Sequence, residues 1–201
     1  MCGISGILRL GGSGGIDLRR TAEAMARELD HRGPDGRGSW LESDGRIAFG
    51  HTRLAVVDVS SAGQQPMTSA DGRWTITYNG EIYNQASLIS RLGRSKSDFR
   101  GHSDTEVFVE SIAAWGIKEA LKRAVGMFAF AAWDSEASEL WLARDRFGIK
   151  PLYYSSRPDG FYFASEPKGL FAAGVPRTKN LKTKPIFVNN YKWLGKLNYI
   201  K

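Results

Sequence analysis

The 201 residues are 42% hydrophobic and 24% charged, the balance of a globular chain with room for one domain, or one domain and a tail. No apolar run reaches the roughly 20 residues of a membrane span. The only cysteine, Cys2, excludes an internal disulfide and points to a reducing compartment, most simply the cytoplasm. The opening Met-Cys-Gly-Ile-Ser-Gly-Ile-Leu-Arg-Leu lacks the charged n-region of a signal peptide. A secreted disulfide scaffold, a membrane protein and a disordered chain are thereby excluded. The net charge of +7 sits at one end: residues 177–201 hold seven Lys or Arg and no acid, which leaves 21 basic and 21 acidic residues in 1–176. The chain therefore divides into a neutral domain, 1–176, and a basic Lys/Asn/aromatic tail, 177–201.

In chain order, Cys2 to Leu10 alternates apolar with small residues, as a buried strand does. A glycine turn follows, and Asp17 caps a helix to about Leu29 whose Ala22, Met25, Ala26 and Leu29 recur at helical spacing. Gly33-Pro34-Asp35-Gly36 reads as a turn. Arg46 to Val59 is strand-like with a kink at Gly50. Arg73 to Tyr78 alternates as a strand and ends at the turn dipeptide Asn79-Gly80. Asn84 to Leu92 is a short helix. Ser103-Asp104-Thr105-Glu106 opens another in capping-box form, running towards Trp115. Strands follow at Gly126–Trp133, Glu139–Arg144, Leu152–Ser156 and Phe161–Ala164. Antiparallel strand groups between a few helices predict a layered α+β fold.

Several candidate sites carry little chemistry. Ser13-Gly14-Gly15-Ile16-Asp17 looks like a phosphate loop of ATP pyrophosphatases, but Leu18 stands where the closing Ser belongs, and a glycine turn explains it. His31, His51 and His102 lack metal-ligand spacing, so no metal site is expected. The tail has three readings: a basic, aromatic-interleaved grip on single-stranded nucleic acid, a terminal strand pair of the domain itself, or an appended extension. The first is the least favoured.

Cys2 is the informative residue. A small second residue permits removal of Met1, which places a thiol and an α-amine on one terminal residue. The amine then takes the thiol proton and the thiolate attacks a carbonyl. Elsewhere in a chain a lone cysteine is by default a small buried hydrophobe.

Six ordered blocks carry a resemblance over about residues 2–175. They are Cys2-Gly3-Ile4-Ser5-Gly6-Ile7, His31-Arg32-Gly33-Pro34-Asp35-Gly36, Gly50-His51-Thr52-Arg53-Leu54-Ala55-Val56-Val57-Asp58, Asn79-Gly80-Glu81-Ile82-Tyr83-Asn84, Ser103-Asp104-Thr105-Glu106, and the run from Arg144 to Tyr154. The set resembles the class II, N-terminal-nucleophile glutamine amidotransferase domain of glutamine-hydrolysing asparagine synthetases. The resemblance implies a four-layer αββα sandwich and hydrolysis of L-glutamine to glutamate and ammonia, with Cys2 as nucleophile. Asn79 and Gly80 match the family's oxyanion hole, Arg53 its clamp on the glutamine α-carboxylate, and Asp104, aided by Glu81, the partner of the α-ammonium. It also implies no cofactor in this domain. ATP and magnesium belong to a synthetase domain, which amidates aspartate and for which this chain has no room. Pro167 and Gly169 stand where relatives carry Ile and Ala, and the tail does not resemble the family's closing strands. These departures suggest a fragment, and they keep a second class of function open: an idle remnant or a glutamine-binding module.

Overall fold

The computed structural model describes residues 1–10, 15–177 and, as a backbone strand, 192–198. Two five-stranded antiparallel sheets lie face to face. The first has the order β2-β3-β1-β9-β8, with β1 Gly3–Arg9, β2 Gly36–Leu41, β3 Ile47–Arg53, β8 Tyr153–Ser156 and β9 Gly160–Ala164. The second has the order β10-β7-β6-β5-β4, with β4 Met67–Thr68, β5 Trp74–Ile82, β6 Gly126–Asp134, β7 Glu139–Arg144 and β10 Lys192–Asn198. Helices α1 (Leu18–Arg27) and α5 (Pro167–Ala172) cover the first sheet. Helices α2 (Gln85–Arg91), α3 (Asp104–Trp115) and α4 (Ile117–Arg123) cover the second. This is the four-layer αββα sandwich.

The layers follow from side-chain periodicity. Along β6, Phe128, Phe130 and Ala132 pack towards α2–α4, while Ala129, Ala131 and Trp133 pack against the other sheet, because alternate strand residues face opposite sides. On α1, Leu18, Ala22, Met25 and Ala26 form one buried face, and the Asp17 carboxylate caps the helix by accepting the Arg20 N–H at 3.0 Å. Between the sheets, the fully buried His51 places Nδ1 3.2 Å from Thr77 Oγ1. Burial, with the nearby Arg53 charge, pushes this histidine down to about 3. It is a neutral tie between the two sheets.

Three expectations change. Asn79-Gly80 is not a turn: β5 runs on to Ile82, with Asn79 opposite Ala129 and Gly80 opposite Phe128, so pairing to β6 overrides the dipeptide's turn propensity. The strand from residue 46 has no kink at Gly50, which stays in register with Ser5 and Ser39, and it ends at Arg53. The capping box is half formed. Ser103 Oγ accepts the Thr105 N–H at 3.1 Å, whereas the Glu106 carboxylate accepts the backbone amides of Arg100 and Gly101, ahead of the cap, and the Arg100 Nε–H. Strand β2 and helix α4 were not foreseen. Pro167 opens α5 at its first residue, where a missing N–H does no harm. The Ser-Gly-Gly segment lies mostly outside the described residues. Within the basic tail, β10 pairs antiparallel with β7, Lys192 opposite Arg144; the rest of the tail except Arg177 lies outside the described residues. Among the described residues no helix is long and apolar enough to cross a membrane.

Phe108 anchors the second core layer. It is fully buried and contacts the rings of Tyr78, Phe128 and Phe130. Phe108→Ala should lower unfolding free energy by about 3–5 kcal/mol, read from denaturant midpoints; a change below about 1 kcal/mol would contradict this packing.

Candidate active site

Because Gly3 pairs with Thr52, the residue before it meets the end of β3. There the Leu54 N–H donates to Cys2 Sγ at 3.5 Å, and the thiol lies 3.8 Å from the Leu54 carbonyl. Gly3 is required by close approach: a Cβ would come within 2.5 Å of Thr52 Oγ1 and 2.7 Å of Leu29 Cβ. Arg32 fixes the other side of the terminus. Its Nε donates to the Cys2 carbonyl at 3.0 Å, and its terminal nitrogen pairs with Glu166 Oε1 at 2.7 Å. His31 and Lys168 join the same carboxylate. Burial raises the Cys2 thiol above its ordinary value, against the Leu54 N–H and the positive charges of the terminal amine and Arg53.

Strand β5 supplies the facing wall. Its even members Ile76, Tyr78 and Ile82 enter the helical core. Asn79 lies two residues beyond Thr77, on the face towards the first sheet. Asn79 is 2% exposed, and its Nδ2 has no hydrogen-bond partner among the described residues. A buried amide donor left unmatched is unfavourable by about 1–3 kcal/mol unless a ligand completes it. Gly80 admits no side chain, since a Cβ would sit 2.5 Å from the Met127 carbonyl.

Two charged groups complete the wall. Arg53, buried, donates to the backbone carbonyls of Ser60, at 2.8 Å, and Asp58. Two of its five N–H donors thereby hold the guanidinium in place. Asp104, also buried, accepts the Ile82 N–H at 2.8 Å and the Tyr78 hydroxyl at 3.0 Å. Burial raises its carboxyl above the usual range despite these bonds. Asp58 ties the loop after β3 to the segment before α3, accepting the Ser60 hydroxyl at 2.6 Å and the amides of Ser60 and His102, both at 2.8 Å. Those donors, the hydroxyl first, hold Asp58 down to about 2.

Cys2, Arg53, Asn79, Gly80, Glu81 and Asp104, scattered over a hundred residues of sequence, all line one cavity of ≈ 210 Å³. The structure brings every sequence-derived candidate to this site, with Glu81 at its exposed rim. Sequence reasoning passed over Arg32 and Lys150, although both stand in blocks already singled out, and Glu166 and Tyr78. None bears a local signal, because each acts through a partner far along the chain. A thiol, an unmatched amide donor, a guanidinium and two carboxylates around one cavity can bind the ammonium and carboxylate of an amino acid and attack a carbonyl farther along its side chain.

A fold of this type, with a thiol at the head of a central strand, fits the class II, N-terminal-nucleophile glutamine amidotransferase domain. The chain belongs to that family: the model of the glutamine amidotransferase domain matches residues 1–191. It is 39% identical over 163 residues to asparagine synthetase [glutamine-hydrolyzing] 3 of Bacillus subtilis, covering 80% of this chain and 26% of the relative. It is 36% identical over 193 residues to asparagine synthetase B [glutamine-hydrolyzing] of Escherichia coli K12, covering 96% and 33%. The chain thus spans about a quarter to a third of the length of these relatives. Glutamine phosphoribosylpyrophosphate amidotransferase from B. subtilis shares the fold, with a TM-score of 0.72 at 24% identity over 86% of this chain and 44% of that one.

Asp58 ionises well below its ordinary 3.8, so its bonds stabilise the fold fully above about pH 4, and the contribution disappears as pH falls through about 2. Asp58→Asn should therefore lower neutral-pH stability by about 2 kcal/mol. It should also flatten the acid limb of a stability profile; an unchanged limb would remove Asp58 from the account.

Proposed function

We propose that this domain hydrolyses L-glutamine to L-glutamate and ammonia through a thioester on Cys2. The observation that carries this reading is the buried, unmatched Asn79 amide donor in the same cavity as the thiol. Removal of Met1 makes Cys2 the first residue. Its free amine takes the thiol proton, and the thiolate attacks the side-chain amide carbon of glutamine. Negative charge developing on the carbonyl oxygen is met by Asn79 Nδ2–H and the Gly80 N–H. The proton passes to the leaving nitrogen, the C–N bond breaks, and ammonia departs. Water, deprotonated by the same amine, then cleaves the thioester and restores the thiol. Arg53 binds the α-carboxylate of the substrate, while Asp104 and Glu81 face its α-ammonium.

The names of the relatives support a destination for the ammonia: amidation of aspartate on a synthetase domain or chain, where ATP and magnesium act. The reading assigns no cofactor to this domain, since the thiol, amine and amide donors supply the covalent chemistry themselves. A cytoplasmic setting suits a mechanism that needs a reduced thiol.

Glutamate release by the purified chain tests the reading, with mass spectrometry confirming loss of Met1. Cys2→Ala should remove turnover while leaving the melting temperature in place; turnover above a few per cent would end the nucleophile assignment. Asn79→Ala should lower kcat by about 10²–10³ with little change in KM, and an equal loss in both would make Asn79 a binding group instead.

Asp104 acts only when ionised. Since burial raises its pKa, KM for glutamine should climb as pH falls towards the raised value, with kcat less affected. Asp104→Asn should raise KM and abolish that dependence. A KM–pH profile that is the same in the wild type and the variant would count against the assignment.

A further inference from the structure

Lys150 is 6% exposed and lines the cavity that holds Cys2. The loop between β7 and β8 delivers it there. Asp145, itself 3% exposed, accepts the amide N–H groups of Phe147, Ile149 and Lys150 at 3.1, 2.9 and 3.0 Å. Arg144 donates to the carbonyls of Gly148 and Lys150. Among the described residues, Lys150 Nζ has a single hydrogen-bond partner, Met1 Sδ at 3.4 Å, and no carboxylate within ion-pair distance. A thioether is a weak acceptor, and a buried ammonium without a counter-ion is strongly unfavourable. The one group that relieves this ammonium is the group the proposed processing takes away.

The charges around the terminus divide by task. In the proposed reading Arg53 from β3 serves the α-carboxylate of the substrate, and Asp104 and Glu81 from α3 and β5 serve its α-ammonium. Arg32 holds the Cys2 carbonyl and is paired with Glu166. Asp58 is saturated by Ser60 and His102. Tyr78 is a neutral phenol bonded to Asp104, raised well above its ordinary value by burial, and His51 is neutral. Lys150 alone remains without a role, its ammonium in contact with the Met1 side chain that precedes Cys2.

We propose that Lys150 is a positioning residue for the processed terminus: with Met1 gone, its ammonium faces the Cys2 amine and thiol and favours their deprotonated forms. The lone pair of the free amine, or the thiolate, accepts the N–H that Met1 Sδ accepts before processing. The α-amine is thereby kept available as a base near neutral pH, and the thiolate gains a second cation beside Arg53, whose guanidinium is held on its carbonyls. The inference rests on the glutaminase reading only in requiring Cys2 to become the first residue.

The test uses the full chain released from a fusion so that Cys2 is residue one. Cys2 is the sole cysteine, so iodoacetamide alkylation, followed by intact mass across pH, reports its titration without requiring turnover. Lys150→Met keeps the length and removes the charge. It should move the inflection of the alkylation profile upward by about one pH unit, slowing alkylation about tenfold below it. Lys150→Arg should stay within a few tenths of the wild type. Lys150→Gln replaces the Met variant if thermal melting shows the latter unfolded. An inflection that does not move, or the same displacement in the Arg variant, overturns the proposal. A raised glutamine KM with an unmoved inflection also overturns it, by assigning Lys150 to the substrate. An inflection that rises in Lys150→Met but not in Lys150→Arg, in a chain that releases no glutamate, would sustain the proposal while ending the glutaminase reading.

Discussion

The site depends on one constraint: the third residue of the chain already belongs to the central strand of a buried sheet. β1 lies between β3 and β9, with helices on one face and the second sheet on the other, and its first six residues, Gly3 to Leu8, are buried. A strand held on both edges and both faces cannot fray, so the residue before it is as fixed as the core. Terminal residues are ordinarily the loosest part of a domain. Here the terminus is held by sheet pairing, by the Leu54 N–H on the thiol and by Arg32 on the carbonyl, which fixes Cys2 as firmly as the strand it precedes.

The groups that then face Cys2 are incompletely satisfied: an amide without an acceptor, a carboxylate and an ammonium buried without full counter-charges. Each is unfavourable for the free fold, and each is kept in place by backbone contacts that carry no chemistry. Asp104 is held by the Ile82 N–H, Arg53 by two carbonyls and Lys150 by the Asp145 turn. The division is consistent. Backbone groups set position, and the free valences of the side chains point at the cavity. Such an arrangement fits electrostatic preorganisation, in which orienting the dipoles is completed during folding and need not be repeated at each turnover.

Much of the fold was legible because its signals are local. The alternation in β1, β6 and β7, the Asp17 cap and the periodic face of α1 each lie within a dozen residues, and the structure matches them to within a residue or two. The α+β class followed, whereas the four-layer order came only through family resemblance, since nothing local says that two sheets will face each other. The candidate residues were legible for a different reason: six blocks in a fixed order carry identity that no single block does. Arg32, Glu166 and Lys150 were not legible as parts of the site. Their meaning lies in contacts across 30, 134 and 149 positions of sequence, which neither spacing nor composition encodes.

Asn79-Gly80 shows where local reasoning fails, and why the failure falls at the site. The dipeptide is a strong turn signal, yet it lies in a strand nine residues long. The glycine serves close packing against Met127 and Phe128, and the asparagine serves the cavity with an unmatched donor. Strand interiors usually avoid both residues, glycine for entropy and asparagine for its competing backbone bonds. A segment that departs from local preference and is held in place by its neighbours is expected to coincide with function. The mismatch between propensity and observed strand is therefore itself a pointer to the site. It reaches the same residues as the family blocks by an independent, physical route.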